Sequence, residues 1–586
     1  MKKRILCLLL VLAMMLGVCG MLASCGGNED EDFGGDRDGN EFTDDEKGVS
    51  KYYEYTWSTK TLNVELSEHS CSQELLSRVR RYLAGKDTDF NDPLDDDIRY
   101  RNGRASAVSR TDIKYTYLPD IDLYKWGANV SRIANESKSY SDTSADIYVN
   151  FIYDTVSASL QGAFANLRST TMYKSEDKNY FEFVYDKDYN PVVDDEGYMY
   201  DLMNSLSFST RKMYVLASDY LTDIVRAFFI VPVNIAMLNG IDVTMVEQYN
   251  ADGNDKFDIN DFYKSVIWDY QWNYDALKIL AAAVHEQKGD SININEDIYG
   301  FGLDAALSGL HGSGLLYGSG VSIISRTLNE QTGFYDVSYP ASAGVYGEFC
   351  DAVTSLFQST GVYAFTKNAE NGEPSGYTFS STPSMLIEQL FANDQMLFGG
   401  IITAGNLEQT AYQEMLAKGE GYGVAVAPVP MYRTFDAAID VDANGVNRYY
   451  RTASHNIAKV AAISVATTKF KECTAWLDYQ STHSTDILNY YYDQELQYAI
   501  AGGDKYTVEV LQELRKNVST ALDKCYDDAV SNYAGASNQR WCQLIWNKWH
   551  YQPTEIRTDY TAAVQLKEEF LKQIQKKYED DSLMAP

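Results

Sequence analysis

The feature that most constrains this fold is a repeated exchange between short β-branched and aromatic runs and longer stretches whose apolar residues fall three and four apart. Ala145 to Tyr153, ADIYVNFIY, reads as a buried strand ending at Asp154. Thr61 to Leu66, TLNVEL, alternates apolar and polar residues as a strand does, and Ser72 to Leu83 follows with helical spacing through Leu75, Leu76, Val79 and Leu83. A strand around Ile113 to Tyr117 and a helix over Tyr124 to Ile133 continue the alternation. Strands that alternate with helices imply an α/β fold built on a largely parallel sheet. In such sheets ligands bind beyond the carboxyl ends of the strands, which places Tyr153 and Asp154 at the mouth of a site.

The same reading extends down the chain. Lys212 to Ala217 is expected as a strand entering the polar turn Ser218-Asp219-Tyr220, and Phe228 to Val233 as another. Helices are expected over Asp261 to Trp268 and Tyr274 to Gln287, and strands over Met396 to Ile402, Gly423 to Val429 and Lys459 to Ala466. A helix near Phe470 to Tyr479 follows, and Leu566, Phe570, Ile574 and Tyr578 share one face of a closing helix. The segment from Asp87 to Thr111 reads as a polar loop. GSGLLYGSG, Gly312 to Gly320, has neither phosphate-loop spacing and reads as a flexible connection.

The start of the chain has a different character. Lys2, Lys3 and Arg4 precede an apolar run from Ile5 to Leu22 that ends in small residues, the pattern of an export signal. Leu22-Ala23-Ser24-Cys25 is similar to the lipobox of bacterial lipoproteins, which implies a signal peptide over 1–24 and a diacylglyceryl group on Cys25. Two acyl chains give stable anchoring where one gives only reversible binding. Residues 25–50 are acidic and glycine-rich, the composition of a tether that cannot collapse. The body that remains, roughly 535 residues, is long enough for two substantial cores. A net charge of -33 argues against nucleic acid and against flat binding to an anionic membrane. Cys71, Cys350, Cys473, Cys525 and Cys542 are an odd set, so at least one thiol is free; Cys525 and Cys542 are a candidate pair that spacing alone does not decide.

The order of elements in the body resembles the extracellular solute-binding proteins of ABC importers, in the branch of sugar-binding lipoproteins. The segments that carry the resemblance are DIYVNFIYD, KMYVLASD followed by FFIVPVNIAMLNGI, YQWNYDALKIL before DIYGFGL, FANDQMLFGG, GYGVAVAPVP, and SHNIAKVAAISVATTKFKECTAWLDYQ. The resemblance implies a two-lobed periplasmic-binding-protein-like fold of type II, with crossing hinge segments and a ligand held between the lobes. Lobe 1 would take 51–228 and 430–485, and lobe 2 would take 229–429 and 486–586. The segments Asp87 to Thr111 and Thr170 to Asp201 look like additions. The resemblance further implies a lipid-anchored, extracytoplasmic monomer that hands its solute to ABC permease subunits and is not an enzyme.

The residues themselves favour a neutral, polar solute. The chain holds 46 tyrosines, whose rings cover the apolar face of a sugar while their hydroxyls bond outward. Tyr153, Asp154, Asp219, Tyr220, Asn406, His455 and Asn456 are the candidate ligand contacts, with Trp268 and Trp272 as candidates for stacking on a sugar ring. In YNADGNDKFDIND, the side chains of Asn250, Asp252, Asn254, Asp258 and Asp261 approximate the spacing of a calcium loop, although Asp255 stands where such loops want glycine. The competing reading is a turn before a helix capped by Asp258 or Asn260. Two rival functions remain at this level: a lipid-anchored glycoside hydrolase, for which no carboxylate pair stands out, and a glycan-capturing surface lipoprotein of helical-repeat type, which the strand content and lack of a repeat disfavour.

Overall fold

The computed structural model describes residues 59–69, 83, 93–121, 129–167, 200–207, 209, 212–221, 226–250, 253–290, 293–304, 310–365, 383–408, 410–419, 421–441, 447–453, 458–491, 505–519, 541, 544 and 556–579. The first unit runs β1 (Lys60–His69), α1 (Pro93–Ser109), β2 (Thr111–Ile121), α2 (Val130–Lys138), β3 (Ile147–Phe151) and α3 (Ile152–Ser159). β1 pairs in parallel with β2 on one side and β3 on the other. Leu62, Val64 and Leu66 project from alternate positions of β1 into the core, as the period of a strand requires.

The second unit contains β4 (Phe229–Asn234), α4 (Tyr274–Val284), β5 (Tyr299–Asp304), a hairpin of β6 (Ser325–Asn329) and β7 (Phe334–Ser338), α5 (Gly344–Phe357), β8 (Val362–Phe365), α6 (Pro383–Ala392), β9 (Met396–Phe398), β10 (Ile402–Thr403) and β11 (Val424–Ala427). Its sheet has the order β10-β4-β9-β5-β8, with β11 also paired to β4. β5 is parallel to β8 and β9, whereas β4 runs antiparallel to β9, β10 and β11.

The chain then returns through β12 (Thr452–Ala453) to β13 (Lys459–Ile463), which lies antiparallel against β3 and completes the first sheet as β13-β3-β1-β2. α7 (Phe470–Thr482) and α8 (Thr485–Tyr490) pack on α1, after which α9 (Lys505–Lys516) crosses to β11. β14 (Val518–Ser519) pairs with β12, and α10 (Ile556–Glu579) closes the chain against β7 and α5. Among the described residues the two larger sheets are therefore joined by three crossings. Thr452 ties two of them, its hydroxyl donating to the Phe229 carbonyl at 2.8 Å.

Several expectations need correction. The expected loop from Asp87 to Thr111 contains α1, a helix whose DDD and RYRNGR runs leave little apolar periodicity to read. Lys212 to Ala217 is not a strand: among the described residues its one bridge runs from Leu216 to Ala461. The helix expected over Tyr124 to Ile133 begins at Val130 in the described residues. GSGLLYGSG is a buried helical turn, Leu310–Ser313 continuing into a wider turn over Gly314–Gly318. Its glycines are packing devices: a Cβ on Gly314 would lie 2.4 Å from Ile401, and one on Gly318 2.7 Å from Val429. Cys350 is buried, and Cys473 is a buried free thiol. The signal, Cys25, the tether, most of Ser72 to Leu83, most of Thr170 to Asp201, and Cys71, Cys525 and Cys542 lie outside the described residues. Among the described residues no helix is long and apolar enough to cross a membrane.

Candidate functional site

The carboxyl edge of the first sheet is where the chain assembles its most distinctive polar geometry. β3 ends at Phe151, two residues before the strand expected from sequence, and Tyr153 and Asp154 fall in the first turn of α3. Both are buried. The Ile152 N–H donates to the Ala458 carbonyl at 2.9 Å, so the returning crossing meets the start of α3. His455 and Asn456 lie outside the described residues.

Asp219 and Tyr220 are inside the first unit. The Asp219 carboxylate accepts from the Thr485 hydroxyl at 2.8 Å and is ion-paired with Arg515. Burial pushes its carboxyl above the usual range, against the opposing pull of Arg515. Tyr220 is fully buried, edge-on to Trp476 at 5.5 Å, with the Arg101 guanidinium 5.1 Å from its ring centre. Burial lowers that guanidinium to about 10. A Ser-Asp-Tyr turn after an apolar run has the same local sequence whether it meets solvent or another element, and Arg515 lies 296 residues away.

Asn406 is half-buried, its Oδ1 accepting the Thr403 N–H at 3.0 Å and the Thr403 hydroxyl at 2.6 Å. Two residues on, Glu408 accepts two hydrogen bonds from Arg226, at 3.1 and 2.8 Å, and one from the Tyr491 hydroxyl at 2.8 Å. Arg226 precedes β4, Glu408 follows β10 and Tyr491 follows α8, so this buried cluster ties two of the crossings to the second unit. Sequence reasoning missed it, because no local pattern links residues 182 and 83 positions apart.

The two tryptophans belong to the second unit. Trp272 is buried, its indole N–H donating to the Pro428 carbonyl at 2.7 Å and its backbone N–H to the Tyr449 hydroxyl at 2.6 Å. That is a packing role. Trp268 is partly buried against Tyr450 at 5.3 Å. Next to it Tyr270 holds a left-handed φ of 58° and stacks on Phe435 at 4.7 Å, an aromatic group that pins the crossing segment to the second unit.

The oxygens of the candidate calcium loop are used by its own turn. Asn250 Oδ1 accepts the Gly253 N–H, Asn254 Oδ1 accepts the Lys256 N–H, and Asp258 and Asp261 form a reciprocal capping box on the helix that begins at Ile259. Asp252 lies outside the described residues, and among the described residues no three His, Cys, Asp or Glu side chains group as metal ligands.

The structure is similar to the galacto-N-biose/lacto-N-biose I-binding protein of the ABC transporter from Bifidobacterium longum, in complex with lacto-N-biose. The TM-score is 0.45 at 10% identity, over 88% of this chain and 98% of that one. It is also similar to a family 1 extracellular solute-binding protein from Bifidobacterium longum subsp. infantis, with a TM-score of 0.42 at 11% identity over 88% and 99% of the two chains. A third likeness is to a probable secreted solute-binding lipoprotein from Streptomyces coelicolor, with a TM-score of 0.43 at 11% identity over 86% and 98%. No protein-family model and no curated protein matches the chain.

Proposed function

We infer that this protein is a lipid-anchored, extracytoplasmic solute-binding protein that captures a carbohydrate between two lobes for ABC-type import. The observation that carries the reading is the architecture: two α/β sheets, the first completed by a strand that returns from beyond the second, joined by crossings of which two meet at Arg226, Glu408 and Tyr491. A linked pair of sheets of this kind is suited to hinge closure around a ligand. The tyrosine-rich, strongly acidic composition supports a neutral polyhydroxyl solute over an anionic one. The segments quoted above for the resemblance fall on the elements that build this architecture, DIYVNFIYD on β3 and the start of α3, and SHNIAKVAAISVATTKFKECTAWLDYQ reaching from the return crossing into β13 and α7.

Thermal unfolding scanned against mono- and oligosaccharides, amino acids and short peptides tests capture. A sugar at about 100 times its dissociation constant stabilises the folded state by roughly 2.7 kcal/mol, a visible shift in midpoint. If no solute moves the midpoint, or the sugar is cleaved, the reading fails. Anchoring is tested separately by metabolic labelling with a palmitate analogue. Label is expected on the native chain and lost in Cys25→Ser, and an unlabelled native chain contradicts the anchor.

A further inference from the structure

One face of the first sheet is polar, where a parallel sheet is ordinarily apolar on both. Asn63, Glu65 and Ser67 alternate along β1 with Leu62, Val64 and Leu66, and all six are buried. Glu65 pairs in register with Tyr148 of β3, and Arg132 of α2 bonds both oxygens of Glu65, so α2 covers this face. Ser67 and Asn150 each stand two residues beyond that pair and therefore on the same face. They lie one step past the Leu66–Val149 pair, on strands about 5 Å apart. α2 returns from the carboxyl end of β2 to the amino end of β3, so Asn129, one turn before Arg132, sits above the carboxyl edge.

The two edges of this face are satisfied very differently. At the amino edge, the Asp146 carboxylate accepts from the Asn63 N–H, the Tyr140 and Thr467 hydroxyls and the Lys469 ammonium, all within 2.9 Å. At the carboxyl edge, Ser67 Oγ, Asn129 Nδ2 and Asn150 Nδ2 have no hydrogen-bond partner among the described residues. Ser67 and Asn150 are 0% exposed and Asn129 9%. Both amides are oriented by their oxygens. Asn150 Oδ1 accepts the Phe151 N–H at 2.8 Å, and Asn129 Oδ1 accepts Arg132 Nε at 3.4 Å, which leaves the two NH2 groups as donors. Buried donors left unpaired carry a penalty that an occupant would remove.

We propose that Ser67, Asn129 and Asn150 form the floor of a ligand subsite in the first lobe, a set of donors that takes the oxygen acceptors of a neutral polyhydroxyl compound. This rests on the capture reading above and assigns residues to it. An anion is disfavoured because Glu65 and Glu136 share the single guanidinium of Arg132, which leaves the face negative. The set contains two amide donors and one hydroxyl, so oxygen acceptors are the groups it recognises.

Isothermal titration calorimetry on the full chain with glucose, lactose, raffinose and glucuronate tests this, alongside Ser67→Ala, Asn129→Ala and, as a control at the exposed amino edge, Thr143→Ala. At least one neutral sugar is expected to bind, with glucuronate no tighter than glucose. Ser67→Ala and Asn129→Ala are each expected to weaken that sugar by about 5- to 10-fold, and Thr143→Ala to leave it unchanged. Circular dichroism melts confirm that each variant folds. Variants that bind the sugar as tightly as the native chain overturn the subsite and reduce these donors to holders of ordered water, while capture stands. A native chain that binds none of the probes overturns capture and subsite together.

Discussion

At the scale of single residues, the candidates divide according to what faces them. Asp219 looks from sequence like a strand-end carboxylate waiting for a sugar hydroxyl, yet its oxygens already hold Arg515 and Thr485. Asp219→Ala would leave Arg515 largely buried without its counter-charge. The expected cost is about 3 kcal/mol of stability, read as a lower urea midpoint. A ligand contact would behave in the opposite way, losing affinity for a sugar with the midpoint unmoved. Asn129 and Asn150 show the complementary case: neither was singled out from sequence, because an asparagine before a helix or inside a strand reads as a cap or an ordinary buried polar group. Only the register of β1 with β3, and the covering of that face by α2, reveals that their amide nitrogens are unmatched.

At the scale of elements, close backbone approaches decide which small residues are replaceable. Gly300 in β5 lies against α4, and a Cβ there would fall 2.2 Å from the Ala281 Cα and 2.4 Å from its carbonyl oxygen. Backbone cannot step aside as a side-chain tip can, so Gly300→Ala is expected to cost roughly 2–3 kcal/mol. Gly103 in α1 has nothing within 4 Å of its Cβ position, and Gly103→Ala should stabilise by about 0.5–1 kcal/mol. Chemical denaturation of the two variants reads both signs, and equal effects would contradict the packing described. Elements with strong periodicity were legible in advance: TLNVEL lies within β1, the apolar part of ADIYVNFIY became β3, and LKIL sits in α4. What misled was composition without periodicity. GSGLLYGSG has the glycine content of a linker, but its glycines let a helical turn approach Phe229, Ile401 and Val429, partners that no local window contains. α1 was hidden for the converse reason, since its charged runs suggested a solvated loop.

At the scale of the whole molecule, the alternation of strands and helices foretold an α/β protein, and the likeness of SHNIAKVAAISVATTKF to a crossing back into the first lobe foretold that the first sheet would be built from separated stretches. The crossings are held by groups that only the folded chain brings together: Arg226 with Glu408 and Tyr491, Thr452 with the Phe229 carbonyl, and Asp219 with Arg515. These contacts lie where one sheet gives way to the other, so the two units are tied at their crossings. The central claim is that a solute draws the two units together. Small-angle X-ray scattering of the purified protein, titrated with the sugar that raises its unfolding midpoint, tests this directly. The account predicts a smaller radius of gyration that saturates with the binding curve, with the sugar recovered intact. A bound sugar that leaves the scattering profile unchanged, or that is consumed, would contradict it.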